Sequence, residues 1–474
     1  MATFIENNES IKDEVCVEHG EKEVCNDEQV NLEFNRKNVE SLVKNIKLVD
    51  SDNGLDLFCY IKCENSDNKI VQESRGVVFE GDNIIMKGFP HTLEYKQHDL
   101  DIVEKEILDV FDDCLFYDSH EGSLIRMFYY KDKWYSSTHR KLDFFKSKWA
   151  SRDSFGSSFV KALESLVDNN EKFSEALSGS DKETVLEKFQ SILDVNKQYM
   201  FLLLNNSENR LVSTPPESPT IFHVGTFIDG KLSMDEDIYV PYPRQHKFKD
   251  VDDVFYFVDK MNYKNTQGII IFTPCNTQYK IYNKSYYDFY MIRGNESSIK
   301  YRYLQIRLDR QSCNMMHYLY PESSKDFDEY EDSIYEIGKN IYSSYVERFI
   351  KRQYVTVPVE EFNVIKECHS WHIEDRLTNK TNLNKVMEVL NRQTPTQLNR
   401  MIRHLKLEKN NVMNSADSDQ PVVKKDFVRK PYNKNFVDRK SNGDNTFKPY
   451  NKNLGGRHIP LLKTNIQINK TESI

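Results

Sequence analysis

An α+β fold of largely antiparallel sheets, followed by an α-helical region and bounded by two disordered ends, is predicted for these 474 residues by three observations. Short β-branched and aromatic runs, separated by turn residues and interrupted by irregularly spaced helices, occupy roughly residues 55–293. After about residue 295 the spacing of apolar residues becomes helical, and both ends break sharply in charge. The resulting division is an acidic arm over 1–35, a sheet-rich domain over 36–295, a helical domain over 296–408 and a basic tail over 409–474.

In the first stretch, Glu6, Glu9, Asp13, Glu14, Glu18, Glu21, Glu23, Asp27, Glu28 and Glu33 face few lysines. A charge block of low hydrophobicity cannot build a core, so a disordered arm is expected. A helix starting near Asn38 collects Val39, Leu42, Val43 and Ile46 on one face. Strands are predicted over 55–63, 70–79, 84–87, 124–130, 134–137, 199–204, 221–227 and 268–272, with helices over 157–167, 181–193 and 250–261. Helical spacing then covers 327–352, 359–371, 383–390 and 395–407. Ile334, Ile337, Ile341, Tyr345 and Phe349 form one stripe, and Thr394-Pro395 marks a helix start.

The tail carries 12 Lys and Arg against 4 Asp and Glu from residue 421 onward, in a chain whose formal net charge is −9. It contains a repeat, with Lys430, Tyr432 and Lys434 returning as Lys448, Tyr450 and Lys452 in nearly the same setting. Lysine, tyrosine and asparagine without a core suit salt-sensitive, sequence-tolerant contact with RNA or another nucleic acid, the tyrosines being available to stack on bases.

Charged content of 29% and hydrophobic content of 38% suit a soluble globular protein. No apolar run nears the ~18 residues that span a bilayer, and the N-terminus is not signal-like, so no membrane partner is expected and a soluble, intracellular (cytoplasmic) protein is. Eight cysteines without a paired framework fit a reducing compartment. Cys59 and Cys63 have zinc-like spacing but read better as one face of a strand. Cys368 and His372 fall one helical turn apart with no further ligands evident, so no metal site is expected.

The segment with most chemical content is Asp118-Ser119-His120-Glu121-Gly122-Ser123-Leu124-Ile125-Arg126, a bend between two strands. About 45 residues upstream lies Arg75-Gly76-Val77-Val78-Phe79, followed by Gly88-Phe89-Pro90. Downstream come Tyr199 to Leu204 with Asn209-Arg210-Leu211-Val212, then Thr266-Gln267-Gly268-Ile269-Ile270-Ile271, then Tyr279-Lys280-Ile281-Tyr282-Asn283-Lys284. In order and spacing these five elements resemble the nucleotide-binding core of RNA ligases of the phage T4 RNA ligase 1 type, within the covalent nucleotidyltransferases. That resemblance implies an α+β nucleotidyltransferase domain with sheets around a groove, and a Lys-x-Asp-Gly-Ser motif whose lysine carries AMP.

Aligned on Gly122 and Ser123, the family's lysine falls on Ser119 and its aspartate on Glu121. The acidic residue expected on the ribose falls on Leu203, the glutamate of the fourth element on Gln267, and the second lysine of the fifth on Tyr282. A lysine attacks an α-phosphate as a neutral amine. The Ser119 hydroxyl has a pKa far above neutrality, and His120 would point to the opposite face of an extended segment. Lysyl-AMP formation at this position is therefore not expected, and the catalytic residue is unknown. Arg75, Glu121, Gly122, Ser123, Lys280 and Lys284 remain as candidates for a nucleotide or phosphate site.

Three readings follow. The first is a ligase-like protein inert in lysyl-AMP formation that works as an RNA-binding or scaffold factor. In the second, an active ATP-dependent RNA ligase uses a displaced lysine such as Lys87 or Lys131, and only then do ATP and Mg²⁺ enter as cofactors. The third is a protein-interaction module of a viral assembly, with partners reached through residues 296–408. It rests on a composition, low in glycine and rich in asparagine and tyrosine, that resembles proteins of large DNA viruses.

Overall fold

The computed structural model describes residues 33–96 and 98–416. Nearly all of the acidic arm and all of the basic repeat, with Lys430, Tyr432, Lys434, Lys448, Tyr450 and Lys452, lie outside the described residues. The architecture is α+β with antiparallel sheets, as expected. Fourteen strands are described: β1 Ile46–Asp52, β2 Leu55–Tyr60, β3 Arg75–Glu80, β4 Asn83–Met86, β5 Leu93–Tyr95, β6 Leu115–Ser119, β7 Gly122–Tyr130, β8 Lys133–Ser137, β9 Lys197–Leu204, β10 Ile221–Ile228, β11 Lys231–Ser233, β12 Gln245–His246, β13 Gly268–Phe272 and β14 Gln278–Tyr282.

They form three sheets. The first has the order β1-β2-β3-β4, the second β11-β10-β9-β7-β8 and the third β12-β6-β13-β14-β5. The pairings are antiparallel except that of β14 with β5. An apolar core joins all three, with Leu55 and Val78 from the first, Phe128 and Met200 from the second and Tyr117 and Phe272 from the third. Strands such as Arg75–Glu80 and Gly268–Phe272 are continuous apolar runs because both of their faces are covered. Arg126, fully buried on β7, ties two sheets together through its guanidinium, which donates to the carbonyls of Gly76 on β3 and of Thr138.

Two differences from the expected elements have local causes. The strand predicted from residue 70 begins instead as the short helix Lys69–Glu73, because the Asn68 side chain accepts from the Ile70 N–H at 2.7 Å and starts a helical turn. The last motif strand stops at Tyr282. Asn283 caps the helix Lys284–Arg293 by accepting from the Tyr286 N–H at 3.0 Å.

From Lys284 onward the described chain is helical, and three helices before residue 320, Lys284–Arg293, Ile299–Ile306 and Arg310–Leu319, were not marked by the sequence pattern. The helix Ser324–Tyr345 buries Ile334, Ile337 and Ile341 against Val364 and Ile365 of Val359–Glu374, Val386 and Leu390 of Leu383–Asn391, and Leu398 and Ile402 of Pro395–Ala416. Cys368 belongs to that core, and the ring of His372 lies 2.5 Å from the Asn379 carbonyl. Among the described residues no His, Cys, Asp and Glu group could hold a metal, and no helix is long and apolar enough to cross a membrane.

Candidate functional site

The second and third sheets meet around a cavity of about 180 Å³. Its apolar wall is built by Leu124 of β7, Leu202 of β9, Val224 of β10, Ile270 and Phe272 of β13, and Phe89 from the loop after β4. Its polar wall holds Arg75, Thr92, Asp118, Ser119, His120, Gln267, Gln278 and Lys280. The volume lies below the ~300 Å³ at which ordinary ligand clefts begin, so it matches one ring or one phosphoryl group rather than a whole triphosphate. A wider cleft, of about 1040 Å³, runs along β8 and the helices Phe155–Asn169 and Val185–Ser191, and none of the motif residues line it.

Two close backbone approaches shape the cavity. At Gly122 an added Cβ would stand 2.6 Å from the Leu203 carbonyl, and at Gly268, with φ +146°, 2.0 Å from the Ile281 carbonyl. Any side chain there would push β7 from β9, or β13 from β14.

The structure brings Arg75 and Lys280 to one end of this cavity. The Arg75 guanidinium donates to the Pro90 carbonyl and the Thr92 hydroxyl, both at 3.1 Å, and Thr92 donates to Gln278 Oε1 at 3.0 Å. The Gln278 side-chain nitrogen is buried with no partner among the described residues. Burial pushes the Lys280 ammonium pKa down; Glu94, 3.6 Å away, opposes this, and Arg75 adds to it. Two cations thus face one small space, a donor set suited to phosphate oxygens.

Ser119 ends β6 opposite Gly268. Its hydroxyl donates to Gln267 Oε1 at 3.1 Å, and Gln267 Nε2 donates to the Tyr286 hydroxyl at 2.9 Å. Among the described residues no base hydrogen-bonds to Ser119 Oγ. His120 lines the same cavity, contrary to the extended-strand expectation, because the chain turns between β6 and β7 instead of running straight. Its ring stacks on Phe222 with centroids 5.1 Å apart, and burial lowers its pKa. Asp118 is engaged by His246 at 2.8 Å.

Glu121, Ser123 and Lys284 are not brought to the cavity. The Glu121 carboxylate is buried and accepts the backbone N–H groups of Leu211, Val212 and Ser213 at 3.0, 2.6 and 2.7 Å, which anchors the loop after β9. Ser123 alternates away from Gly122 and Leu124 along β7. Lys284, turned outward by the Asn283 cap, pairs with Asp288 at 2.7 Å on an exposed helix face. Lys87 and Lys131, the alternative nucleophiles, pair with Glu73 and Glu80, and neither lines the cavity.

Three contributors escaped the sequence reading. Gln278 had a legible signal, since it precedes Lys280 by two residues on one strand and shares its face. Thr92 and Tyr286 had none, because their roles come from pairings 186 and 19 residues apart in the chain.

A magnesium–triphosphate complex does not fit this donor set. Of the carboxylates near the cavity, Asp118 is held by His246, Glu121 by three backbone amides and Glu94 by Lys280.

No family model matches the chain. It overlaps the solved "Putative ATP-dependent DNA ligase from Aquifex aeolicus" with a TM-score of 0.35 and 14% identity, over 70% of this chain and 86% of that one. With an archaeal ATP-dependent RNA ligase (form 1) the TM-score is 0.33 and the identity 10%, over 62% and 73%. At these scores the overlap decides neither fold nor function. Sequence relatives are closer. The chain is 27% identical over 376 residues to the immediate-early protein ICP-46 homolog of Invertebrate iridescent virus 6, covering 74% of this chain and 80% of that protein. To immediate-early protein ICP-46 of Frog virus 3 (isolate Goorha) it is 23% identical over 268 residues, 55% of this chain and 64% of the relative. With 30% identity over 353 residues to the ICP-46 homolog of Invertebrate iridescent virus 3, across 72% of this chain and 74% of that protein, the chain belongs to the family of the iridescent-virus immediate-early protein ICP-46.

Proposed function

We propose that this protein is a ligase-like nucleotidyltransferase relative that binds a phosphate-bearing nucleotide or RNA without forming a covalent nucleotide link, and that it acts as an RNA-binding or scaffold factor early in viral infection. The timing is carried over from relatives named as immediate-early proteins. The observation that carries the reading is the surrounding of Ser119: a hydroxyl spent on Gln267, in a cavity with two cations suited to anions and with no base in contact with it among the described residues. Motif order supports the ligase-like frame, and the basic, tyrosine-bearing tail supports RNA contact.

Incubation with α-labelled ATP or GTP and Mg²⁺ or Mn²⁺ tests this on a denaturing gel. The expected result is no covalent label, for the natural chain and for Ser119→Lys alike, because the carboxylates that would serve a metal are engaged elsewhere. RNA binding in the same preparation should weaken steeply with salt. A label on the natural chain sinks the reading. Lys280 is then the first residue to map, being the one lysine on the cavity wall among the described residues.

A further inference from the structure

A residue outside the motifs and off the cavity wall, Glu94, pairs with the cavity's lysine from an adjoining pocket that it lines with His91, Lys96 and Tyr282. Strand β14 pairs in parallel with β5, and the register places Glu94 directly opposite Lys280. The Glu94 carboxylate stands 3.6 Å from Lys280 Nζ and accepts the Tyr282 hydroxyl at 2.7 Å. Its backbone is pinned from the other side: the Glu94 N–H donates to Asn65 Oδ1 at 3.1 Å, and Asn65 Nδ2 donates to the Glu94 carbonyl at 2.9 Å. Where the resembling ligases place a second lysine, this chain has Tyr282, whose neutral hydroxyl holds a carboxylate against the remaining one.

Resting on the reading of this cavity as a noncovalent phosphate site, we infer that Glu94 is its specificity determinant, selecting nucleotides with a single phosphate over triphosphates. Arg75 and Lys280 supply donors for the terminal oxygens of one phosphoryl group. By pairing with Lys280, Glu94 offsets one of the two cationic charges, so a singly phosphorylated ligand is compensated while the extra negative charge of a triphosphate is not. The same chemistry is offered by a free nucleoside monophosphate and by the 5′-phosphate of an RNA strand.

Calorimetric titration of the full chain without divalent metal decides the matter, using AMP, ATP and short oligoribonucleotides with and without a 5′-phosphate. The natural chain should bind AMP, or the 5′-phosphorylated strand over its unphosphorylated twin, at least ~10-fold more tightly than ATP. Whichever of the two binds identifies the source of the phosphate. Glu94→Gln should raise ATP affinity by about 10-fold with little change for AMP, and Tyr282→Phe, which frees the carboxylate, should move the ratio the same way. Equal binding of ATP and AMP, abolished for both by Arg75→Ala, overturns the role of Glu94 and leaves the cavity as a phosphate site. An unchanged ratio in both variants overturns it as well. Failure of the natural chain to bind any of these ligands removes the phosphate-site reading and this inference with it.

Discussion

The sheets up to Tyr282 and the helices from Ser324 onward bury different kinds of side chain. Between the sheets, Ser119, Glu121, Arg126, His223, Gln267 and Gln278 are all buried. In the helical cluster the interior is almost wholly Ile, Val, Leu and Met, with Ser333 and Glu361 the buried polar exceptions among the described residues from 324 onward. Apolar burial gains free energy without geometric demands, whereas each buried polar group needs a partner at a set distance. A region that accepts that cost at many positions is where ligand chemistry is to be sought. The helical region carries the marks of packing.

The largest effect should come from the sheets. Glu121→Ala leaves three N–H groups, two of them buried, without an acceptor, so the chain should lose about 4 kcal/mol in urea unfolding, with nucleotide binding lost alongside. Glu121→Gln keeps one acceptor oxygen and should lose about half as much. If Glu121→Ala unfolds at the same urea concentration as the natural chain, the contrast between the regions collapses.

In the helices, Ile337→Ala should cost about 3 kcal/mol by opening a cavity at a fully packed position, yet leave the affinity of the cavity beneath Ser119 unchanged in the folded fraction. A matching loss of affinity would show that the two regions act as one.

The pH-dependent effect sharpens the comparison through the exception. Burial, with Glu408 and Glu360 nearby, raises the Glu361 carboxyl pKa to about 7. The folded state therefore keeps a proton that the unfolded chain releases near pH 4.5, and stability falls as pH rises from about 4.5 through about 7. Glu361→Gln, which cannot ionise, should match the natural chain near pH 4 and exceed it by about 3 kcal/mol at pH 8. Melting curves at the two pH values check the sign; a variant that gains nothing at pH 8 refutes it.

Much of the framework was legible in the residues. The stripe Ile334, Ile337, Ile341 predicts the long helix and its buried face, because helical period alone dictates which side chains share a side. The runs Val77-Val78-Phe79 and Ile269-Ile270-Ile271 likewise predict strands buried on both faces. Less legible were the helix Lys69–Glu73 and the early stop of β14, since each hangs on one asparagine side chain capping a helix where apolar content alone favours a strand.

For the site, residue type by itself set the expectation: in the alignment with the resembling ligases a serine and a glutamine fall where those have a lysine and a glutamate, and neither type supplies an amine nucleophile or a metal-binding charge. Tertiary structure decided the rest. Strand pairing set Lys280 opposite Glu94, a turn carried His120 onto the wall it was expected to leave, and the loop after β9 took up the Glu121 carboxylate. Each of these joins residues far apart in the chain or depends on a single turn, and local spacing holds no record of either.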